Sequence, residues 1–326
     1  MYETRRPGRG LIRWAVLLLL LAMAVPTQAQ SKPLKIVATT AMIGEPLTRI
    51  VGAHAQVETL MGEGVDPHLY RPTRSDIARL TRADAIIYNG LALEAQLLRP
   101  IDQLAARTPV LAVAEAIDAA ARLPYEGGPG DPHIWMDPAL WRDALAAAVD
   151  FLIRLDPDHA QAFRDNAARY FAELDTLQTY ADETMGSIPE NARILVTAHD
   201  AFSYFGARYS IKVRGILGIS TESEAGLRAI EDLVTLIVTR KIRAVFVESS
   251  VSDRQVRALV DGAAARDWQV SVGGTLFSDA MGAAGTYRGT YIGMIDHNVT
   301  VIARALGGEA PADGAFGRLS PDGGSP

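Results

Sequence analysis

From Asp156 to Gly186 apolar residues recur every three or four positions, at Phe163, Ala167, Tyr170, Leu174, Leu177 and Ala181. That is the spacing of one buried face on an unbroken helix. Asp156-Pro157 suits its start, with Asp as N-cap and Pro at the first helical position, and Gly186-Ser187-Ile188-Pro189 ends it. About 29 residues at 1.5 Å each make a rod of ~44 Å, longer than one small domain. A helix of that length in mid-chain leaves few folds open. The segments on either side must each form a body, with the helix as a rigid connector.

Both flanking segments alternate short β-rich runs with helical ones. In the first, strands are expected at 36–40, 57–61, 85–88 and 110–113, with a helix over 43–51 and another capped by Thr73. In the second, strands are expected at 194–197, 212–216, 244–248 and 269–272, with helices over 225–239, 253–266 and 291–306. Such alternation predicts parallel sheets covered by helices. The expected fold class is therefore α/β: two αβ sandwich lobes with parallel sheets joined by one long rigid α-helix. The expected divisions are a signal peptide over 1–29, an N-terminal αβ lobe over 33–155, the connecting helix over 156–186, a C-terminal αβ lobe over 190–307 and a flexible tail over 308–326.

The start of the chain sets the compartment. Arg5, Arg6, Arg9 and Arg13 precede an apolar run from Trp14 to Val25, and Thr27-Gln28-Ala29 supplies small residues for cleavage. This is the pattern of a secretory signal peptide, and the run is too short for a transmembrane anchor. The sequence contains no cysteine, so neither a disulfide framework nor a lipid-modified cysteine is expected. The expected location is the periplasm, without a lipid anchor and without stable membrane insertion after cleavage. Cleavage takes the net charge from −6 to about −9. An acidic chain with no basic tract argues against nucleic acid as a partner.

The chemistry concentrates in histidine. Of six histidines, two lie in nearly the same setting, Asp66-Pro67-His68 and Asp131-Pro132-His133, and a third, His199, follows the apolar run 194–198. Ligands in open αβ sheets collect beyond the carboxyl ends of strands. Imidazole is the commonest protein ligand for borderline divalent metals, and three of them with one carboxylate complete a four-ligand shell. Asp279, reached directly from the run Gly273–Ser278, is the candidate carboxylate. Asp66 and Asp131 read as residues that fix loops or histidine tautomers. His54, His159 and His297 read as structural.

Several segments together resemble a known family. They are Val65-Asp66-Pro67-His68-Leu69-Tyr70, Asp131-Pro132-His133-Ile134-Trp135, Val196 to Phe205, Gly215 to Thr221, Val247-Glu248-Ser249-Ser250, Phe277-Ser278-Asp279-Ala280-Met281 and Gly289 to Met294. In order and spacing they resemble the TroA-type zinc/manganese-binding proteins of ABC transporters, over nearly the whole chain after residue 29. The resemblance implies two αβ domains joined by one long helix, with one metal between them held by His68, His133, His199 and Asp279. It implies a role as a periplasmic solute-binding protein that delivers the metal to an ABC-transporter permease, as a monomer and not as an enzyme. It further implies that the long helix permits only small domain movements.

The expected metal is Zn²⁺ or Mn²⁺, one per chain. The stretch 122–130 lacks the histidines of many related zinc importers, while His199 stands where related manganese binders usually have Glu. Three imidazoles and one carboxylate suit tetrahedral Zn²⁺, and a bidentate carboxylate raises the count toward what Mn²⁺ prefers. The alternative is a secreted zinc-dependent hydrolase. Catalytic zinc keeps a position open for water, whereas Asp279 fills it, and no His-Glu-x-x-His segment is present. A binder of chelated metal is a third reading, but such sites grip an organic ligand with arginines and aromatics.

Overall fold

The computed structural model describes residues 1–2, 32–223 and 225–320. The expected signal peptide, residues 1–29, lies outside the described residues apart from Met1 and Tyr2. No helix among the described residues is long and apolar enough to cross a membrane.

The first half builds one parallel four-stranded sheet from β1 (Leu34–Thr40), β2 (Ala55–Met61), β3 (Ala85–Tyr88) and β4 (Val110–Ala112), in the order β2-β1-β3-β4. Helices α1 (Ala41–Val51), α2 (Arg74–Arg82) and α3 (Ala95–Ala105) connect the strands. At the start of α2 the Thr73 side chain accepts the Asp76 amide while Asp76 accepts the Thr73 amide. This reciprocal capping box satisfies two amides that a helix start leaves open. A helix α4 (Pro138–Leu155), capped by Asp137 through the Ala139 amide, leads to the connector.

The connector α5 spans Ala160–Gly186. It begins later than the Asp-Pro signal suggests, because Pro157–His159 forms a separate 3-10 turn. There Asp156 spends its carboxylate on the His159 ring, Oδ2 to Nδ1 at 2.7 Å, instead of on backbone amides. All six apolar positions read from the sequence are buried, Phe163, Ala167, Tyr170, Leu174, Leu177 and Ala181. Against this face pack α1 and α4 from one side of the sequence and α9 (Tyr291–Ala305) from the other. One hydrophobic cluster consequently runs from Ile36 through Trp141 and Phe163 to Tyr291 and Ile302.

The second half contains the parallel pairs β5 (Ile194–His199) with β6 (Lys212–Leu217) and β7 (Ala244–Glu248) with β8 (Ser271–Leu276), β5 running beside β7. Helices α6 (Ser203–Tyr209), α7 (Leu227–Arg240) and α8 (Arg254–Ala264) link them, and the apolar faces of α7 and α8 close a second cluster around Val196, Val245 and Leu259. Strand β8 lies later than the expected 269–272. The run from Gly273 is expected to leave the strand, but here both Gly273 and Gly274 are strand residues opposite an irregularity at Val245/Phe246. Gly274 has φ +148°, and a Cβ there would come within 2.6 Å of Val301 on α9.

The tail also differs from expectation over 308–320. Asp296 of α9 accepts the Ala315 amide at 2.8 Å, Leu319 is buried, and the Arg318 guanidinium lies 4.4 Å from the centre of the Tyr287 ring. Gly314, at φ +75°, brings the chain so close to Asp296 that a Cβ would meet its carboxylate at 2.4 Å. Small residues here serve close approach to a buried acid, a use that composition alone does not distinguish from disorder. Residues 321–326 lie outside the described residues.

Candidate metal centre

The two Asp-Pro-His segments use one local device. In each, the Asp side chain accepts the amide of the histidine two residues on: Asp66 Oδ1 from His68 N at 2.8 Å, and Asp131 Oδ1 from His133 N at 3.0 Å. Such turns are an Asp habit, and the intervening Pro fixes one further dihedral. The two acids then diverge. Asp131 also faces His133 Nδ1 at 2.8 Å, which assigns Nε2 as the ring's inward atom. Asp66 instead accepts the hydroxyl of Thr221, from the second half of the chain, at 2.5 Å.

His199 closes β5, and Glu248 at the end of the neighbouring β7 holds it twice. One carboxylate oxygen accepts the His199 amide at 2.8 Å and the other faces Nδ1 at 2.5 Å. Asp279 lies just beyond β8, in a loop clamped by Asn298 of α9, which accepts the Phe277 amide at 2.9 Å and donates to the Phe277 carbonyl at 2.7 Å.

These four side chains converge. Ligand atoms of His68, His133, His199 and Asp279 all lie within 4.8 Å of one another. Asp279 Oδ1 is 3.4 Å from His133 Nε2, while Oδ2 is 3.1 Å from His199 Nε2 and 3.7 Å from His68 Nε2. His133 and His199 are fully buried, and His68 is 5% exposed. His199 Nε2 and both oxygens of Asp279 have no hydrogen-bond partner among the described residues. Buried polar atoms without partners are costly. Four groups that turn such atoms toward one point can hold one cation.

Charge follows from the same geometry. Burial pushes His68 down to about 4, so its ring is neutral at neutral pH. Burial opposes charge on His133 too, but Asp131 and Asp279 outweigh it and carry the ring up to about 9. For His199, Glu248 and Asp279 overcome burial and hold the ring well above its ordinary value. Burial notwithstanding, His199 and His133 keep Asp279 well below the usual carboxylate range. The cluster is thus a compact set of opposed charges, His133 and His199 against Asp279.

The structure places the other histidines apart from this point. His297 Nε2 bonds the Thr275 carbonyl at 2.8 Å, and His54 packs against His159 with ring centres 4.2 Å apart. What the sequence reading missed are the contacts that bring the two halves' loops together. The Tyr204 hydroxyl donates to the Asp131 carbonyl at 3.0 Å and accepts the Leu123 amide at 2.9 Å. The Trp135 indole donates to the Ser278 carbonyl at 2.9 Å. These partners are far apart in sequence and leave no periodic trace; the only local signal is an aromatic with a polar tip beside a candidate ligand.

Such a cluster, made wholly by protein at the carboxyl ends of parallel strands, fits the class of bilobal α/β binding proteins for bare cations. The chain belongs to the ZnuA family, zinc-uptake complex component A, periplasmic, which matches residues 36–305. It is 42% identical over 280 residues to the manganese-binding lipoprotein MntA of Bacillus subtilis, covering 86% of this chain and 92% of that protein. It is 42% identical over 278 residues to the zinc-binding protein TroA of Treponema pallidum, covering 85% and 90%. The solved structure of that periplasmic TroA superposes with a TM-score of 0.83 over 84% of this chain and 99% of that one, at 41% identity. The α/β class with parallel sheets and a long helix is thereby established. These relatives are binding proteins, and they lend no support to a zinc-dependent hydrolase.

One expectation is corrected. An anchor-free protein of the periplasm was inferred from the absence of cysteine, yet MntA of Bacillus subtilis and several further relatives are lipoproteins. Anchoring is a property of a chain's beginning, which neither the fold nor the cluster reflects. A free periplasmic location is therefore not assigned.

Proposed function

We propose that the protein captures one divalent transition metal, zinc or manganese, with His68, His133, His199 and Asp279, and hands it to the membrane permease of an ABC importer. The observation that carries this reading is the convergence of three buried imidazoles on a carboxylate whose two oxygens are otherwise unpartnered. Two ligands come from the segment 33–155 and two from 190–307, so the cation joins two lobes across the connector at 156–186. The protein acts as a monomer, since one chain supplies the complete ligand set. Nitrogen-rich sites favour Zn²⁺ over Mn²⁺ by the general stability order, and a two-oxygen carboxylate offsets part of that preference.

Metal analysis of protein purified without chelator, paired with melts in Zn²⁺, Mn²⁺ and chelator, tests the reading. A metal at a thousand times its dissociation constant stabilises the native state by ~4 kcal/mol. In a chain this long each kcal/mol moves the melt by roughly 2–4 °C, so a shift on the order of 10 °C is expected. His199→Ala and Asp279→Ala each abolish most of the shift, and His297→Ala keeps it. No stoichiometric metal and no shift in the wild type would end the proposal.

A further inference from the structure

Trp135 stands between the loops that deliver two of the four groups. It is two residues from His133 and 1% exposed, and its indole N–H donates to the carbonyl of Ser278 at 2.9 Å. Ser278 immediately precedes Asp279. A side-chain-to-backbone hydrogen bond across 143 positions of sequence therefore ties the Asp279 loop to the His133 loop. Trp135 is itself held, because the Tyr291 hydroxyl at the start of α9 donates to its carbonyl at 2.7 Å. Its ring packs edge-on to His133, with centres 5.2 Å apart at 63°.

The braced carboxylate presents both oxygens to the imidazoles, Oδ1 toward His133 and Oδ2 toward His199 and His68. Neither oxygen is occupied by a hydrogen bond among the described residues. A carboxylate offered in that way can bind a cation through two oxygens, raising the coordination number above four. Zn²⁺ is satisfied by three nitrogens and one oxygen, whereas Mn²⁺ seeks more oxygen ligands. Whatever keeps Asp279 facing two oxygens inward therefore matters more to manganese than to zinc.

We propose that Trp135 is a positioning residue that sets metal preference: its indole N–H holds the Asp279 loop so that the carboxylate meets the cation with both oxygens. This rests on the proposed metal-binding reading of the cluster. Loss of the N–H leaves the Asn298 clamp at Phe277 in place but removes the tie at Ser278, next to Asp279, so that the carboxylate can turn. One oxygen and three imidazoles remain for Zn²⁺, while Mn²⁺ loses the ligand it most needs.

The test is a pair of competition titrations, Zn²⁺ and Mn²⁺ each against a chromophoric chelator, on wild type, Trp135→Phe and Tyr291→Phe. A fourth protein carries the benzothiophene isostere of tryptophan at position 135, which keeps the ring's shape and removes only the donor. Expected are a Mn²⁺ affinity lowered at least tenfold more than the Zn²⁺ affinity in Trp135→Phe and in the isostere protein, and a smaller shift of the same sign in Tyr291→Phe. If Trp135→Phe does not fold, the isostere protein decides. An unchanged ratio of the two affinities in the isostere protein, whether both fall together or neither falls, overturns the proposal. A wild type that binds neither metal overturns the underlying site reading instead.

Discussion

Glu248 grips His199 at two points, taking its backbone amide with one oxygen and facing ring Nδ1 with the other at 2.5 Å. The ring can then turn only Nε2 toward Asp279, and it is held on a strand end. Partners of this kind raise the basicity of a ligand and fix its direction, and their loss typically costs 10- to 100-fold in metal affinity. Glu248→Ala is expected to weaken Zn²⁺ binding by roughly that factor, with Glu248→Gln milder because it keeps an acceptor. Chelator competition on both variants checks this, and equal losses would show that charge outweighs orientation.

Metal binding should expel protons. At pH 7 the carboxylates keep His133, with its value near 9, and His199 charged, whereas His68 at about 4 is already neutral. Metal requires neutral imidazoles, so about two protons leave per cation. Calorimetry of Zn²⁺ binding at pH 7 in two buffers of different ionisation heat measures the number, and none released would contradict the charge assignment.

The same groups give the metal-free protein a pH-dependent stability. His133 is raised from 6.5 to about 9 on folding. Its contribution is therefore fully present below the unfolded value and lost as pH rises through the folded one. The metal-free melt should fall between pH 7 and pH 9.5, and the increment added by Zn²⁺ should grow over the same interval. Scanning calorimetry with and without chelator at the two pH values is sufficient, and a metal increment that shrinks would sink the idea.

The connector supplies stability without touching the cation. Phe163 is wholly buried on α5, and truncation to Ala leaves a cavity. Phe163→Ala should cost about 3–5 kcal/mol in urea unfolding with chelator present, yet keep one metal per chain. The exposed Thr176→Ala serves as a neutral control.

Removal of residues 308–326 deprives Asp296 of the Ala315 amide while its Tyr287 bond at 2.8 Å persists. A buried acid left partly unsatisfied costs about 1–3 kcal/mol. Thermal melts of the truncated chain should be lower by several degrees, and an unchanged melt would show that the tail contributes nothing.

Local signals in the sequence reached far. Periodicity marked six of the eight buried positions on α5, missing Thr184 and Met185 in its last turn, and the Thr73 capping box formed as its spacing implies. The repeated Asp-Pro-His identified two of the converging histidines, because each motif carries its own turn. Where reading failed, glycine was the reason. Gly273-Gly274 looked like the end of a strand, and the glycines after residue 307 looked like disorder, but Gly273, Gly274 and Gly314 serve close approach to α9. Asp279 is legible from its place just beyond the last strand, a weaker signal because an acid in a loop has no distinguishing period, and the family resemblance points to the same residue. The cross-links from Trp135, Tyr204 and Thr221 were invisible, because only the closed fold brings their partners near.

The hydrophobic cluster shared by Ile36, Phe163 and Tyr291 ties the two ends of the chain into a single cooperative mass. Melting either half would expose part of that shared cluster, which disfavours a half-denatured species in which a metal hangs from two side chains. The proposed cation is on that ground expected to leave from the intact molecule or on complete unfolding, rather than from a half-melted one.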